Sequence, residues 1–253
     1  MTSFMVFAGK EFREIVSTWR IWVLPGLVLF FALTGPPLAR FTPQILAAAV
    51  GDQIAGIKLP APTYVDSYAQ WVKNLSQIVM IALVIAYGGL VSSETKGGTA
   101  VLVLTKPLSR AGFVIAKFVV HATFLAVVVM VGTVVTWGLT DLIFGIAPSE
   151  PLWEASFTWL VLGLLFIGLM TVLSVEINSP AGAAGVGVGA FALLAIATIW
   201  APLGTYSPAA LTSLPASLVR GDSVSVGWPL TTSLLCALLL VLLAAWRFQR
   251  KDI

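Results

Sequence analysis

Charge is scarce in this chain. Only 10% of its 253 residues are Asp, Glu, Lys or Arg, against roughly a quarter in ordinary soluble domains. Disorder needs the opposite composition, and a soluble fold of this length cannot hide an apolar fraction of 58%. Cysteine occurs once, as Cys236, which excludes an intrachain disulfide and leaves the redox compartment unread. The lone histidine, His121, excludes His-pair zinc motifs, and no metal site is expected. There is no Walker A pattern: Gly9-Lys10 runs into Glu11 without a glycine loop before it, so this route to ATP is closed in this chain. Met1–Lys10 lacks a cationic lead before its apolar residues, so no cleaved signal peptide is expected.

What the chain has instead is long apolar runs and a mean hydropathy of +0.99. Charge-free stretches cover 21–39, 74–93, 118–140, 155–175, 177–219 and 223–246. A helix crossing the hydrocarbon core needs about 20 residues, whereas a membrane β-barrel shows alternating segments of about 10. The 43-residue run is long enough for one crossing or two. Its second half carries Pro208 and Pro215 among small and hydroxyl residues, which reads as an interfacial or loop segment.

Loop charge decides the count. With six crossings and the N-terminus inside, the cytoplasmic segments hold Lys10, Arg13, Arg20, Lys96, Lys106, Arg110, Lys117, Arg247, Arg250 and Lys251. Outside lie only Arg40, Lys58, Lys73 and Arg220. Ten against four obeys the positive-inside bias. A seventh crossing would move Arg247, Arg250 and Lys251 outside and break it. The expectation is an all-α integral membrane protein: six transmembrane helices, both termini cytoplasmic, residues 1–253 forming one transmembrane domain. The net charge of +3 is then a topology signal, and no nucleic-acid partner is expected. The bilayer itself is a partner, and the plasma membrane of a bacterium is the default location.

Before the first crossing, Phe4, Ala8, Phe12, Ile15 and Trp19 recur at spacings of 4, 4, 3 and 4. That is a helical stripe, with Lys10, Arg13, Glu14 and Arg20 on other faces. It predicts an amphipathic helix at the membrane interface over 3–20, the alternative being a soluble lead-in to the first crossing. The first crossing is expected to end near Pro36-Pro37. Asp66, Ser67, Tyr68, Gln70, Trp71 and Lys73 suit a helical lead-in to the second. The segment 203–228 is expected outside.

No acid–base pair lies within the membrane cores. Glu94, Asp141 and Glu176 fall at predicted helix ends, and His121 reads as a gating residue or a packing one. Proton-coupled carriers keep titratable groups inside the bundle, so energy is expected to enter from another subunit. The fifth crossing opens with Gly182, Gly185 and Gly189 among small residues; the GxxxG pair of Gly185 and Gly189 marks a helix contact, within one bundle or between subunits, with the intramolecular case slightly favoured. The loop 93–111 carries Glu94, then Gly97-Gly98 to interrupt the helix. Thr99 then caps a short apolar stretch through Leu102 and Leu104 that stops before Pro107, and Arg110 follows. By composition this is equally a docking helix for a soluble partner or a topogenic loop.

The pattern Glu-x-x-Gly-Gly-Thr, then Leu-x-Leu-Thr-x-Pro-Leu-x-Arg, then Lys-Phe resembles the loop of ABC-2-type permeases. These are the membrane subunits of ABC exporters of the type V fold, and the branch serving nitrous oxide reductase maturation is the most alike. The resemblance covers nearly the whole chain, including Lys10-Glu11-Phe12 before an aromatic-rich helix. It implies that 3–20 is an elbow helix, carrying Phe4, Lys10, Glu11, Phe12, Arg13 and Trp19. It further implies that Glu94, Gly97, Gly98, Thr99, Leu102, Leu104, Pro107 and Arg110 belong to a coupling helix seated in an ATPase subunit, and that 203–228 is partly re-entrant. ATP and Mg would be bound by two copies of that separate ATPase, with no cofactor in this chain and with a second permease copy or a paralogue completing the assembly. The chain departs from the branch by carrying Lys96 where an acid is expected. Other classes that fit the sequence are a membrane anchor for a cytoplasmic ATPase and a self-sufficient secondary carrier.

Overall fold

A computed structural model of the protein describes residues 3–18, 20–50, 60–98 and 108–251. It is helical, with no strand among the described residues. Helix α1 spans Ser3–Ser17 and α2 Arg20–Val50. Next come α3 (Tyr64–Asn74), a single π turn at Leu75–Val79, α4 (Met80–Tyr87) and the short α5 (Ser92–Lys96). Then α6 runs over Arg110–Phe144, α7 over Ser149–Glu176 and α8 over Pro180–Ala197. Two short helices, α9 (Ala201–Tyr206) and α10 (Leu214–Arg220), flank a 3-10 turn at Pro208–Thr212 and lead to α11, Gly227–Gln249. Among the described residues six stretches are long and apolar enough to cross a membrane: Ile21–Leu46, Tyr64–Lys96, Arg110–Phe144, Ser149–Glu176, Pro180–Ala197 and Gly227–Gln249.

Local chemistry sets most boundaries. Thr63 and Asp66 close a capping box on α3, the Asp66 carboxylate accepting from the Thr63 amide at 2.7 Å, so the expected helical lead-in is present. Ser109 caps α6 by accepting from the Gly112 amide at 3.0 Å, and α6 stops at Gly145, whose φ of 75° is left-handed. Ser179 caps α8, with Pro180 in its first turn.

The first crossing is longer than its prolines predict. Pro25, Pro36, Pro37 and Pro43 all lie inside α2, which runs on to Val50. Proline removes one backbone hydrogen bond and crowds the preceding turn. Membrane helices tolerate the loss, because the bilayer leaves the remaining backbone no better partner than its own helix. Residues 40–50 are therefore helix rather than loop.

Helix α7 is the centre of the bundle, with 72% of its most apolar window buried, against 17% for α8. Around it the core gathers Tyr68, Trp71, Leu83, Leu125, Trp159, Phe166 and Met170. Lipid supplies no hydrophobic drive between helices, so close contact has to do the work. Gly132 of α6 shows how: a Cβ there would meet Val28 Cγ1 at 2.5 Å and the Trp71 ring at 2.6 Å. Trp71 Nε1 in turn donates to Ser156 Oγ at 3.0 Å. The segment 203–228 folds back onto the bundle, burying Ala209, Ala210, Leu211, Leu214 and Val219.

Candidate functional site: a buried charge node under the amphipathic helix

Helix α1 lies against the start of α6 and the end of α11. Phe7 packs on Phe113 of α6 at 5.0 Å between ring centroids, and Phe113 stacks on Phe248 of α11 at 5.3 Å and 11°. Val91, Val175, Ala244 and Ala245 complete this small apolar cluster. It fixes which face of α1 turns inward. Phe7, Glu11 and Ile15 are buried at 5%, 1% and 1% exposure, while Met5, Phe12 and Val16 stand out at 50% or more. A charged residue thus occupies the middle of the inward stripe, and Phe12 belongs to the outer face.

Glu11 is met by Lys117, a lysine of α6 that is 1% exposed. Lys117 Nζ donates to Glu11 Oε2 at 2.8 Å and to Glu94 Oε1 at 2.7 Å, and sits 5.2 Å from the Phe113 ring centroid. Lys10 Nζ donates to the same Glu94 Oε1 at 2.9 Å, to Glu11 Oε1 at 3.0 Å and to Glu14 Oε2 at 2.6 Å. Two ammoniums and three carboxylates therefore join α1, α5 and α6 in one network. Burial works to lower the Lys10 pKa, but hydrogen bonds to Glu14 and Glu94 and the charge of Glu11 outweigh it, so Lys10 is held above the usual lysine value. The carboxylate oxygens of Glu11, Glu14 and Glu94 come within 4.8 Å of one another, a spacing that suits a cation, and the lysines supply it.

The backbone entering α5 is held from below. Ser174 of α7 accepts from the Val91 amide at 2.9 Å and the Ser92 amide at 3.0 Å, satisfying donors that a short helix leaves bare. After Lys96, Gly97 ends the helix and Gly98 takes a left-handed φ of 69°. At the far side of the loop, Arg110 Nη1 donates to the Lys251 carbonyl at 2.6 Å. Lys251 Nζ reaches the Val175 carbonyl and Asn178 Oδ1, and Arg247 pairs with Glu176 at 2.6 Å. Both margins of the loop are thus tied to the bundle.

Among the loop residues singled out in the sequence, Glu94 and Arg110 lie at these two anchors, and Gly97 and Gly98 are exposed at the first. Thr99, Leu102, Leu104 and Pro107 lie outside the described residues, as does Trp19. On α1, Phe4 packs at the edge of the aromatic cluster, Lys10 and Glu11 join the node, and Phe12 and Arg13 are exposed. The sequence places Lys117 among the inside charges and in the Lys-Phe step of the loop pattern, and gives it no partner. Its signal was present: Phe113, Lys117 and His121 recur every four residues, so the lysine shares a face with α6 core residues. His121 is buried edge-on against Tyr87, with centroids 5.0 Å apart.

The glycine-rich start of α8 packs differently from its expectation. Ala183, Ala184 and Gly187 face the bundle, and a Cβ on Gly187 would meet Met170 Sδ at 2.5 Å and Val84 Cγ1 at 2.7 Å. Gly185 and Gly189 have nothing within 4 Å of a Cβ position, and a Cβ on Gly182 would lie nearest Ile177 and Ser179 of the turn that precedes α8. The intramolecular contact therefore runs through the face next to the GxxxG pair, because α8 rides on the outside of α4 and α7.

Residues 55–253 match the family described as "Protein of unknown function (DUF2705)". Over its whole length the chain is 25% identical to "Uncharacterized transmembrane protein YxlG" of Bacillus subtilis, covering 99% of that protein. It is 30% identical over 179 residues to "Probable ABC transporter permease protein NosY" of Stutzerimonas stutzeri, and 31% over 180 residues to that of Pseudomonas aeruginosa. These alignments take in 69% and 66% of this chain and span 61% and 58% of the two NosY proteins.

Proposed function

Since the chain belongs to the DUF2705 family and is a permease-like membrane protein related to ABC transporter permeases, we propose that it is the non-catalytic membrane subunit of an ABC exporter of the ABC-2, or type V, class. Its cargo is hydrophobic or amphiphilic. Energy comes from ATP and Mg bound by a separate ATPase present in two copies, against two permease units that are identical or paralogous. The assembly sits in a bacterial plasma membrane with both termini of this chain in the cytoplasm.

The observation that carries this reading is the node. A loop that receives force from a soluble motor is useful only if its ends cannot slip relative to the helices it must move. Glu94 ties one end of 93–111 to α1 and α6, and Arg110 ties the other to the end of α11. A push on the loop then moves the amphipathic helix together with the second, third and sixth crossings. Coupling to a rigid contiguous network is how a local displacement becomes a change of the whole bundle.

Purification from native membranes in mild detergent, with mass analysis of the intact complex, is the direct test. Recovery with an ATPase near two copies per two permeases supports the reading. A chain that emerges alone and moves solute in liposomes without ATP refutes it in favour of a secondary carrier, and a stable ATPase complex with no transport favours an anchor. In the reconstituted complex, Glu94→Lys, Arg110→Glu and Leu102→Pro should each separate ATP hydrolysis from transport while leaving membrane insertion intact. Unchanged coupling in all three would sink the docking role of the loop.

A further inference from the structure

Between α2 and α3 lies an open groove of about 490 Å³, walled by Phe30, Phe31, Leu38, Phe41 and Ile45 of α2 and floored by Gln70 and Asn74 of α3. Its walls fall within two membrane-crossing stretches, Ile21–Leu46 and Tyr64–Lys96. Phe30, Leu38, Phe41 and Ile45 are each 46% exposed or more, which is ordinary for a lipid-facing wall. The floor is not ordinary. Asn74 is only 7% exposed, and its Oδ1 accepts from Gln70 Nε2 at 3.3 Å. That bond leaves the Asn74 Nδ2 donors and Gln70 Oε1 without a hydrogen-bond partner among the described residues. Thr34, on the wall, spends its hydroxyl proton on the Phe30 carbonyl at 2.7 Å.

An amide left unpaired against hydrocarbon costs several kcal/mol on alkane scales, and membrane-facing polar groups are rare for that reason. A donor and an acceptor side by side at the foot of an aromatic wall match a molecule that brings both functions on one polar end and an apolar tail behind it. The sign of that end is also readable. No Asp, Glu, Lys or Arg lines the groove, so an ionic head would enter without a counter-charge. The charged side chains of α3, Asp66 and Lys73, line the adjoining groove against Ala39, Thr42, Pro43 and Leu46, on the other side of the shared Gln70, and the Asp66 carboxylate is occupied by the Thr63 cap. We propose that the α2–α3 groove binds an uncharged amphiphile, its hydroxyl or amide head on Gln70 and Asn74 and its chain along Phe30, Leu38, Phe41 and Ile45. That this amphiphile is cargo rests on the exporter reading above; that it binds does not.

The test is photo-labelling of the full chain in nanodiscs, without nucleotide or any partner, using a long-chain alcohol carrying a diazirine. The fatty acid and the alkyltrimethylammonium of equal length serve as charged controls. The alcohol should mark peptides 30–45 and 70–74 several-fold more than either control. The Gln70→Leu/Asn74→Leu variant should lower that labelling about fivefold, the worth of roughly one net hydrogen bond, and leave unchanged the labelling of the wholly apolar groove at Leu165, Leu194 and Leu239. Equal labelling by all three probes overturns the proposal without relying on any variant, and so does labelling that survives the double substitution. Disulfide capture of two copies through Ile45→Cys would show that a second chain covers the groove, and overturns it too. None of these failures touches the question of an ATPase partner, and loss of that partner would leave the labelling result standing.

Discussion

Lys117 is a cation placed in an apolar helix and nine-tenths or more withdrawn from solvent, so its partners decide whether it is tolerated. Deleting one member of a buried pair leaves the other charge uncompensated, at a cost of about 3–5 kcal/mol. Lys117→Met should therefore lower the unfolding temperature of the detergent-solubilised protein substantially, and Glu11→Gln should do so as well. The double variant should be less damaged than the sum of the two, because contacting residues are not additive; strict additivity would mean that the pair is not coupled. Lys10 answers a different question. Its pKa is raised, so its contribution is complete below the ordinary lysine value and fades only as pH climbs through the raised one. Between pH 7 and 9, thermal stability should show no loss traceable to Lys10, as comparison of the chain with Lys10→Met across that range would reveal. None of this pairing was legible from residue order alone. Glu11 and Lys117 stand 106 positions apart, and an isolated charge in an apolar stripe announces that a partner exists without saying which.

Elements were more readable where local chemistry acts alone. The long apolar runs and the lead-in around Asp66 are properties of neighbouring residues, and the helices they predict are present. Proline misled, because its meaning depends on solvent: in water Pro36-Pro37 would end a helix, whereas in lipid the helix has nowhere else to send its amides. Glycine is readable only in part. Spacing identifies a face with small residues but does not say what lies opposite. Two substitutions separate the faces of α8. Gly187→Leu drives a side chain into Met170 and Val84 and should cost about 1–3 kcal/mol or more as overpacking, while Gly185→Leu should leave the isolated chain as stable as before, read by thermal unfolding of each. Where α4 approaches α8, a Cβ on Gly88 would fall directly onto the Pro180 carbonyl oxygen. Backbone cannot yield as a side-chain tip can, so Gly88→Ala should destabilise although it adds a single methyl group. A wild-type melting temperature for Gly88→Ala would show that these helices separate more easily than their contact suggests.

At the scale of the molecule, the six crossings were legible because bilayer thickness dictates their length, and their order follows from the chain. The way they group around α7 was not legible, since every crossing is apolar and hydrophobicity cannot rank them for the centre. The node adds a matter of timing. Glu11, Glu94 and Lys117 all precede α7, so every charge of the network is in hand once α6 has entered the bilayer, before α7, α8 and α11 follow it in. Phe248, which closes the aromatic cluster above it, arrives nearly last. Once α6 has left the ribosome and entered the bilayer, Lys117 can be neutralised at once, and the hazard of an unpaired cation in hydrocarbon would last only while the third crossing is being threaded.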